Sequence, residues 1–355
     1  MLKPLLHSLV PEELEDAVAA VGQPAWRGRQ VRDWLHRHPV RDWAAMSNVP
    51  GPLRHALAEK YDLWGLVPTE RQVSRDGTRK FLFTLRDGAT VESVIIPMND
   101  HTTFCISSQV GCAMACRFCA TARGGLVRNL EPGEIVQQVL HLLADLQDEP
   151  MAGMGDRQPN VVFMGMGEPL DNFPAVERSI LIMQHEAGLG ISRRRIRIST
   201  SGPEEGLEML LGSDLQVGLT LSIGGSDDQE RRRIMPVPGR TTLARAADLA
   251  AEYAARVRRR TTIAWVMIEG RTDEPEQARR IAALVAGRPF KVNLIPLNPL
   301  DDDKLASPPF QKILAFQSIL KDAGVDTFIR ASGGQDIAAA CGQLRRRRLT
   351  AGPGK

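Results

Sequence analysis

The sequence predicts an α/β protein: a parallel sheet with crossover helices, forming a barrel or half-barrel, behind a small helical accessory domain. Three observations lead there. Short β-branched runs recur six or seven times from about residue 100, longer helical stretches separate them, and a mainly helical pattern precedes residue 88. A chain of 355 residues, 43% hydrophobic and 25% charged, is long enough for one barrel-sized domain plus an accessory.

Residues 1–88 form the accessory part, including a hairpin linker; 89–348 form the barrel and 349–355 a tail. Within the first part, PAWRGRQVRDWLHRH and PGPLRHALAEKY carry apolar residues at helical spacing, and KFLFTL and TVESVIIP flank the turn Arg86-Asp87-Gly88. The barrel strands are TFCISS, NVVFMG, RIRIST, QVGLTLSI, TTIAWVMI and KVNLIP, with DTFIRA after them. Between them, Pro132–Leu146 gathers Ile135, Val136, Val139, Leu140, Leu142 and Leu143 on one side, and Thr241–Ala255 is rich in Ala and Leu. Such helices coat a barrel, whose chemistry belongs at the C-terminal ends of the strands, where the polar and glycine-rich segments fall. The only low-complexity piece is the end, RRRRLTAGPGK.

The longest apolar runs stop well short of a membrane span, and MLKPLLHSLVPEELEDAV has acidic residues where a secretory signal would be continuously apolar, so the chain is expected in the cytoplasm. A formal charge of +3 does not by itself demand a nucleic-acid partner, although local basic clusters can supply a surface for one.

Five cysteines, Cys105, Cys112, Cys116, Cys119 and Cys341, are an odd number with four crowded together, which suits metal or redox chemistry better than a disulfide framework. The CxxxCxxC of CAMACRFC directly follows a strand. That loop can wrap three thiolates around a cubane iron-sulfur cluster, whereas structural zinc wants four ligands and no His stands beside the triplet. Three thiolates leave one iron open to a substrate. In NVVFMGMGEP a strand ends in a glycine-rich turn, where Glu168 can accept hydrogen bonds from an ammonium group.

These residues carry a resemblance. FCISSQVGCAMACRFCATARGGLVRNL, then VVFMGMGEPLDN, RIRISTSG, KVNLIPLNP and DIAAACGQL, closely resemble the RlmN/Cfr family of radical S-adenosylmethionine (radical-SAM) RNA adenine methyltransferases, nearest the RlmN branch, over residues 10–348. The resemblance implies a radical-SAM partial (β/α)6 barrel with a small helical N-terminal accessory domain. It implies that Cys112, Cys116 and Cys119 hold a 4Fe-4S cluster, and that Gly167, Glu168, Ser199, Ser222, Ile223, Gly224 and Asn298 contact S-adenosylmethionine. Cys341 would carry the methyl group, Cys105 would be its redox partner, and Glu92 would be a general base. The implied reaction methylates carbon 2 of adenine in 23S ribosomal RNA, transfer RNA or both, through a covalent enzyme–RNA adduct whose release leaves a Cys105–Cys341 disulfide. Carbon 2 lies between two ring nitrogens and is electron-poor, so it cannot attack a sulfonium methyl directly; a radical route is required. An electron donor such as flavodoxin or ferredoxin and a monomeric enzyme are implied too.

RNA must present its base unstacked to a cationic surface. Candidates are Arg123, Arg128, Arg193 to Arg195, Arg231 to Arg233 and Arg345 to Arg348, with Trp26, Arg27, Arg29 and Trp34 in a domain that resembles the family's accessory RNA-binding domain; the two tryptophans are expected in its core. Three departures from the family pattern stand out. Ser222-Ile223-Gly224-Gly225 replaces a Ser-Leu-His sequence, the segment Ser332–Ala338 is without an arginine and a carboxylate that the family pattern has near the methyl carrier, and His101 replaces an arginine. The chain therefore reads as a divergent member. Competing readings are methylation at carbon 8, as in the Cfr branch, and a catalytically silent RNA-binding relative or zinc-stabilised scaffold.

Overall fold

The computed structural model describes residues 2–151, 157–236, 241–300 and 304–345; Arg346 to Arg348 and the tail 349–355 lie outside them. Three helices open the chain: α1 (Pro11–Ala19), α2 (Arg27–His36) and α3 (Gly51–Lys60). Strands β1 (Leu66–Val73), β2 (Arg79–Leu85), β3 (Thr90–Pro97) and β4 (Thr102–Cys105) follow as an antiparallel run. A small hairpin of β5 (Gln109–Gly111) and β6 (Leu126–Asn129) brackets the cysteine loop and the short helix α4 (Ala120–Arg123). Then come α5 (Pro132–Asp148), β7 (Asn160–Phe163), α6 (Phe173–Gln184), β8 (Ile196–Thr200), α7 (Glu204–Gly212) and β9 (Gly218–Ser222). The chain continues with α8 (Asp228–Ile234), α9 (Leu243–Val257), β10 (Thr261–Met267), α10 (Pro275–Val285), β11 (Phe290–Pro296), α11 (Phe310–Asp322) and β12 (Thr327–Ile329).

The sheet runs β1-β2-β3-β4-β7-β8-β9-β10-β11-β12, and from β4 onward every neighbour is parallel. The expected parallel strands are thus all present, in chain order, in a sheet that stays open between β1 and β12. Strands β1 to β3 continue that sheet, with Val94 opposite Cys105. The helix starts follow side-chain chemistry: Glu131 and Glu134 form a capping box on α5 with Pro132 in its first turn, and Thr242 caps α9. Strand β1 carries no clear strand signal in its sequence, because only alternate positions of LVPTERQV are covered and Glu70, Arg71 and Gln72 interrupt its apolar run.

One large apolar core lies between the sheet and its coating helices, and a second, built on Leu14, Val31, Leu35 and Leu53, holds α1 to α3 together. Trp34 packs on that second core as expected, and its Nε1 donates to Asn48 at 2.5 Å. Trp26 does not: it is half exposed at the cap of α2, with the Arg27 guanidinium 4.6 Å over its ring. It precedes the first helical turn, so it never enters the apolar stripe.

His7 seals the helical module against the barrel. It is fully buried, edge-on to Trp64, and its Nδ1 and Nε2 lie 3.0 Å from Gln137 Nε2 and 3.3 Å from the Leu35 carbonyl. A neutral ring satisfies both neighbours, accepting from the Gln137 amide and donating to the carbonyl, whereas an imidazolium would set a proton against an amide donor. Burial lowers the His7 pKa to about 4 and that of neighbouring His36 to about 3, the latter helped by repulsion from His7. The unfolded chain therefore binds protons first, so stability is complete above about pH 6.5 and is lost as pH falls toward 4, on the order of 2–3 kcal/mol for such a shift. Urea midpoints followed by Trp64 fluorescence should fall steeply between pH 6.5 and 4.5; a flat profile there would refute this role for His7.

Candidate active site

The C-terminal ends of β7 to β11 open into a cleft of about 1040 Å³, counting its solvent-filled mouth. Cys112, Cys116, Cys119, Gly167, Glu168, Ser199, Ser222, Asn298 and Cys341 all line it. Residues spread over 230 positions of sequence thus share one cavity, since parallel strands end at the same mouth.

Burial pushes the Cys112 thiol up to about 12, and burial with repulsion from Cys119 and Cys112 raises Cys116 well above the ordinary thiol value. Three crowded thiolates are unstable without a cation among them. Among the described residues no three His, Cys, Asp or Glu side chains converge on a single-ion site, and thiolates that each bind a different iron of a cubane need not converge. Arg231 strengthens the fit. Expected on the RNA surface, it is instead buried, because α8 ends against the cysteine loop, where Arg117 N donates to the Ile234 carbonyl at 3.0 Å. Its Nη2 donates at 2.5 Å to the Ser201 carbonyl, its buried Nη1 has no hydrogen-bond partner among the described residues, and a Cys116 thiolate would stabilise its charge. A buried cationic donor beside Cys116 suits an anionic cluster.

Glu168 is almost fully buried. Its Oε2 accepts from Ser201 N at 2.7 Å and Ser201 Oγ at 2.9 Å, and its Oε1 from Leu170 N at 3.0 Å. Burial outweighs these bonds and raises its pKa, so an ammonium group in the cleft would complete the site. Gly167 has a φ of +104°, and a Cβ there would lie 2.6 Å from Gln109 Cβ, so only glycine makes this turn. Gln109 in turn accepts from Glu168 N at 2.8 Å, a contribution hidden in the sequence by its place in an unremarkable three-residue strand.

Ile223 and Gly224 do not line the cleft. Ile223 is fully buried in the core, and a Cβ on Gly224 would overlap Met235 Sδ, so only their backbone can reach a ligand. The missing side chain of that departure thus corresponds to space that Met235 fills. A second departure has a similar cause. A Cβ on Gly333 would lie 2.8 Å from Thr78 Oγ1, and the segment docks on the β1–β2 turn through Gly334 N to Asp76 at 2.8 Å and Ser74 Oγ to Asp336 at 2.5 Å.

Cys341 sits exposed at the cleft, held through its backbone. Asn298 Nδ2 donates to the Cys341 carbonyl at 3.1 Å, Ala120 N to the Gly342 carbonyl at 2.7 Å, Thr121 Oγ1 to the Leu344 carbonyl at 2.5 Å, and Arg345 N to Glu92 Oε2 at 2.8 Å. Two of these clamps come from the residues just after Cys119, so the Cys341 segment is docked on the cysteine loop. Thr121 gave no sequence signal. Cys105 is buried, outside the cleft lining, and both it and Cys341 are free thiols. Burial, then the proximity of Cys341, push the Cys105 pKa up, while Arg330 opposes the rise. Glu92, also buried, stands on the same sheet face as Cys105, two residues from its partner Val94, with Oε1 3.5 Å from Lys80 Nζ.

Of the other RNA candidates, Arg128 forks onto Glu134 at 2.8 and 2.9 Å and onto Asp87 at 2.6 Å, which uses its donors internally. Arg123, Arg193, Arg194, Arg232, Arg233 and Arg345 are exposed, and Arg195 is half-buried. Among the described residues, no helix is long and apolar enough to cross a membrane.

Comparison with known proteins agrees with this geometry. The Radical SAM superfamily matches residues 106–282, and the ribosomal RNA large subunit methyltransferase N-terminal domain matches residues 6–63. The chain is 40% identical, over 96% of its length and 89% of the relative's, to a probable dual-specificity RNA methyltransferase RlmN of Heliobacterium modesticaldum. It is 41% identical, over 96% and 94%, to the dual-specificity RNA methyltransferase RlmN of Desulfotalea psychrophila. A crystal structure of a radical SAM methyltransferase from Sphaerobacter thermophilus superposes with a TM-score of 0.91 at 38% identity, covering 96% of this chain and 99% of that one.

Proposed function

The chain belongs to the RlmN family of radical-SAM RNA methyltransferases, which use a 4Fe-4S cluster and S-adenosylmethionine, and on that premise we propose that it methylates carbon 2 of adenine in 23S ribosomal RNA, transfer RNA or both. The observation that carries this reading is the docking of Cys341 at the rim of the cleft, beside the cysteine triplet and close enough to Cys105 to disfavour its thiolate.

Cys112, Cys116 and Cys119 hold the cluster; Glu168 takes the ammonium of S-adenosylmethionine, and Ser199, Ser222 and Asn298 complete its walls. When bound, the two groups supply a transferable methyl and a hydrogen-abstracting carbon radical. Cys341 Sγ carries the methyl, which its exposed position presents to a base entering the mouth. Once that carbon is joined to the ring, the chain's remaining tasks are to take the ring proton and to cut the sulfur–carbon bond. Glu92 takes the proton, and the unpaired electron that radical addition leaves on the ring would return to the bound cluster, so that the adduct left behind is closed-shell. Cys105, as thiolate, attacks Cys341 Sγ; a sulfur–sulfur bond forms as the sulfur–carbon bond breaks, and the released carbon takes up a proton. An external thiol then reduces the disulfide. The enzyme works as a cytoplasmic monomer fed by a flavodoxin- or ferredoxin-like donor.

The test is positional. With RNA carrying deuterium at carbon 2 of adenine, the reconstituted enzyme should release the label and yield a nucleoside that matches 2-methyladenosine on chromatography and fragmentation. Retained deuterium with an 8-methyladenosine product would sink the assignment.

A further inference from the structure

A second cationic site lies at the other end of the barrel. The N-terminal ends of β8, β10 and β11 bring together Arg193, Arg194, Arg197, Arg259 and Lys291, while the cleft occupies the C-terminal ends. At about 3.3 Å per strand residue, the two mouths are roughly 20 Å apart.

Ordinary surface cations pair with carboxylates. Here, among the described residues, none of the five has a carboxylate within ion-pair distance; Asp326, the carboxylate that acts on Lys291, is itself held by Arg260. Backbone carbonyls position the cluster instead. Arg259 donates to the carbonyls of Arg194 at 3.1 Å, Arg193 at 3.3 Å and Gln216 at 3.4 Å, and Arg197 to the Leu219 carbonyl at 3.0 Å and Thr262 Oγ1 at 3.3 Å. Lys291 stands 5.8 Å over the Phe328 ring. Carbonyl partners fix a guanidinium without neutralising it, so the charges repel one another: Arg193 and Arg194 act on Arg259, Arg259 on Arg197, and both Arg197 and Arg259 on Lys291. Mutual repulsion among cations that the backbone holds in place is relieved by a multivalent anion.

We propose that this N-terminal mouth is a second RNA-binding surface, which grips phosphodiesters distant from the target adenine. The inference rests on the RNA-methyltransferase reading but not on which ring carbon is modified. RNA fits better than a small polyphosphate because the cations spread over three strand ends and Arg193 and Arg194 are exposed to solvent. An RNA whose target loop enters the cleft would then reach round the open barrel, which gives affinity without touching the reacting base.

The double variant Arg193→Gln/Arg194→Gln tests this, because Arg259 is held by the carbonyls of these residues and not by their side chains. With the reconstituted enzyme and a fluorescent transfer-RNA transcript, anisotropy titrations from 50 to 300 mM KCl should show binding about tenfold weaker near 100 mM salt. The slope of log Kd against log salt should be flatter by about 1.4–1.8, as for two lost phosphate contacts. Should the double variant misfold, each single variant should flatten the slope by about 0.7–0.9. An unchanged slope and affinity would overturn the proposal. So would inorganic pyrophosphate binding tightly to the parent but not to the variant while transcript binding is identical in both, since that marks a small-anion site. Mass analysis of the methylated nucleoside is a separate readout, so a wrong carbon assignment leaves this result standing.

Discussion

Replacing Cys105 with alanine should convert the enzyme into one that cross-links itself to RNA and releases almost no methylated product. Cys341 still carries its methyl in this variant and can still join it to the ring, but nothing remains to attack the Cys341 sulfur. The covalent adduct therefore accumulates to near one per enzyme, visible as a retarded band on a denaturing gel and removed by ribonuclease. Multiple turnover should fall by at least 10⁴-fold, since an intermediate with no resolving nucleophile is a dead end. Cys341→Ala should lose the same activity without forming the adduct, and the pair of outcomes separates carrier from resolver. The parent enzyme should resolve its adduct faster as pH rises, because burial lifts the Cys105 pKa well above neutrality. Below that pKa the thiolate fraction grows about tenfold per pH unit. A Cys105→Ala enzyme that still turns over, or a double variant Cys105→Ala/Cys341→Ala that still cross-links, would remove these two cysteines from the reaction.

How much of this was legible beforehand divides along physical lines. The parallel strands were readable because each is a short β-branched run bounded by turn residues, and the mouth of the cleft followed because strands such as Asn160–Phe163 end in chemistry-bearing loops. The three-cysteine loop was readable because its residues are neighbours in the chain. What the sequence hid is whatever depends on side chains meeting across the fold. Arg231 sits in the run Arg231-Arg232-Arg233, which reads as a solvated face, yet one turn of α8 aims the first arginine inward at the cysteine loop and leaves the others out. Trp26 looked like core and is half exposed because the helix starts one residue later. The clamps on Cys341 come from Thr121, Asn298, Ala120 and Glu92, four positions on three distant segments, and no local pattern encodes such a convergence. The cation cluster at the N-terminal mouth was half visible: the run Arg193-Arg194-Arg195 stood out, but Arg197, Arg259 and Lys291 join it only through the strand register.

Glu92 poses the sharpest remaining question, because its contacts support two roles that one substitution can separate. One oxygen accepts from Arg345 N and so anchors the segment that presents Cys341; the other faces Lys80, whose Nζ also donates to the Ala338 carbonyl at 3.2 Å. Glu92→Gln keeps an oxygen for Arg345 but cannot take a proton, and it strips buried Lys80 of its counter-ion, which by itself costs about 3–5 kcal/mol. The informative variant is therefore Lys80→Met/Glu92→Gln, which removes that orphaned charge. If Glu92 is the base, this protein should dock Cys341 normally, form the covalent adduct, and release methyladenine roughly 10²–10⁴-fold more slowly, the usual contribution of a positioned base. Glu92→Ala should then recover part of the lost rate with added formate, a small carboxylate able to enter the vacated space. If Glu92 is only an anchor, the double variant should turn over within a few-fold of the parent, and Glu92→Ala should instead show rapid proteolysis near Arg345 with no response to formate. The base assignment fails on that second pattern, whereas slow release with formate rescue makes the same carboxylate both the latch of the methyl carrier and the acceptor of the ring proton.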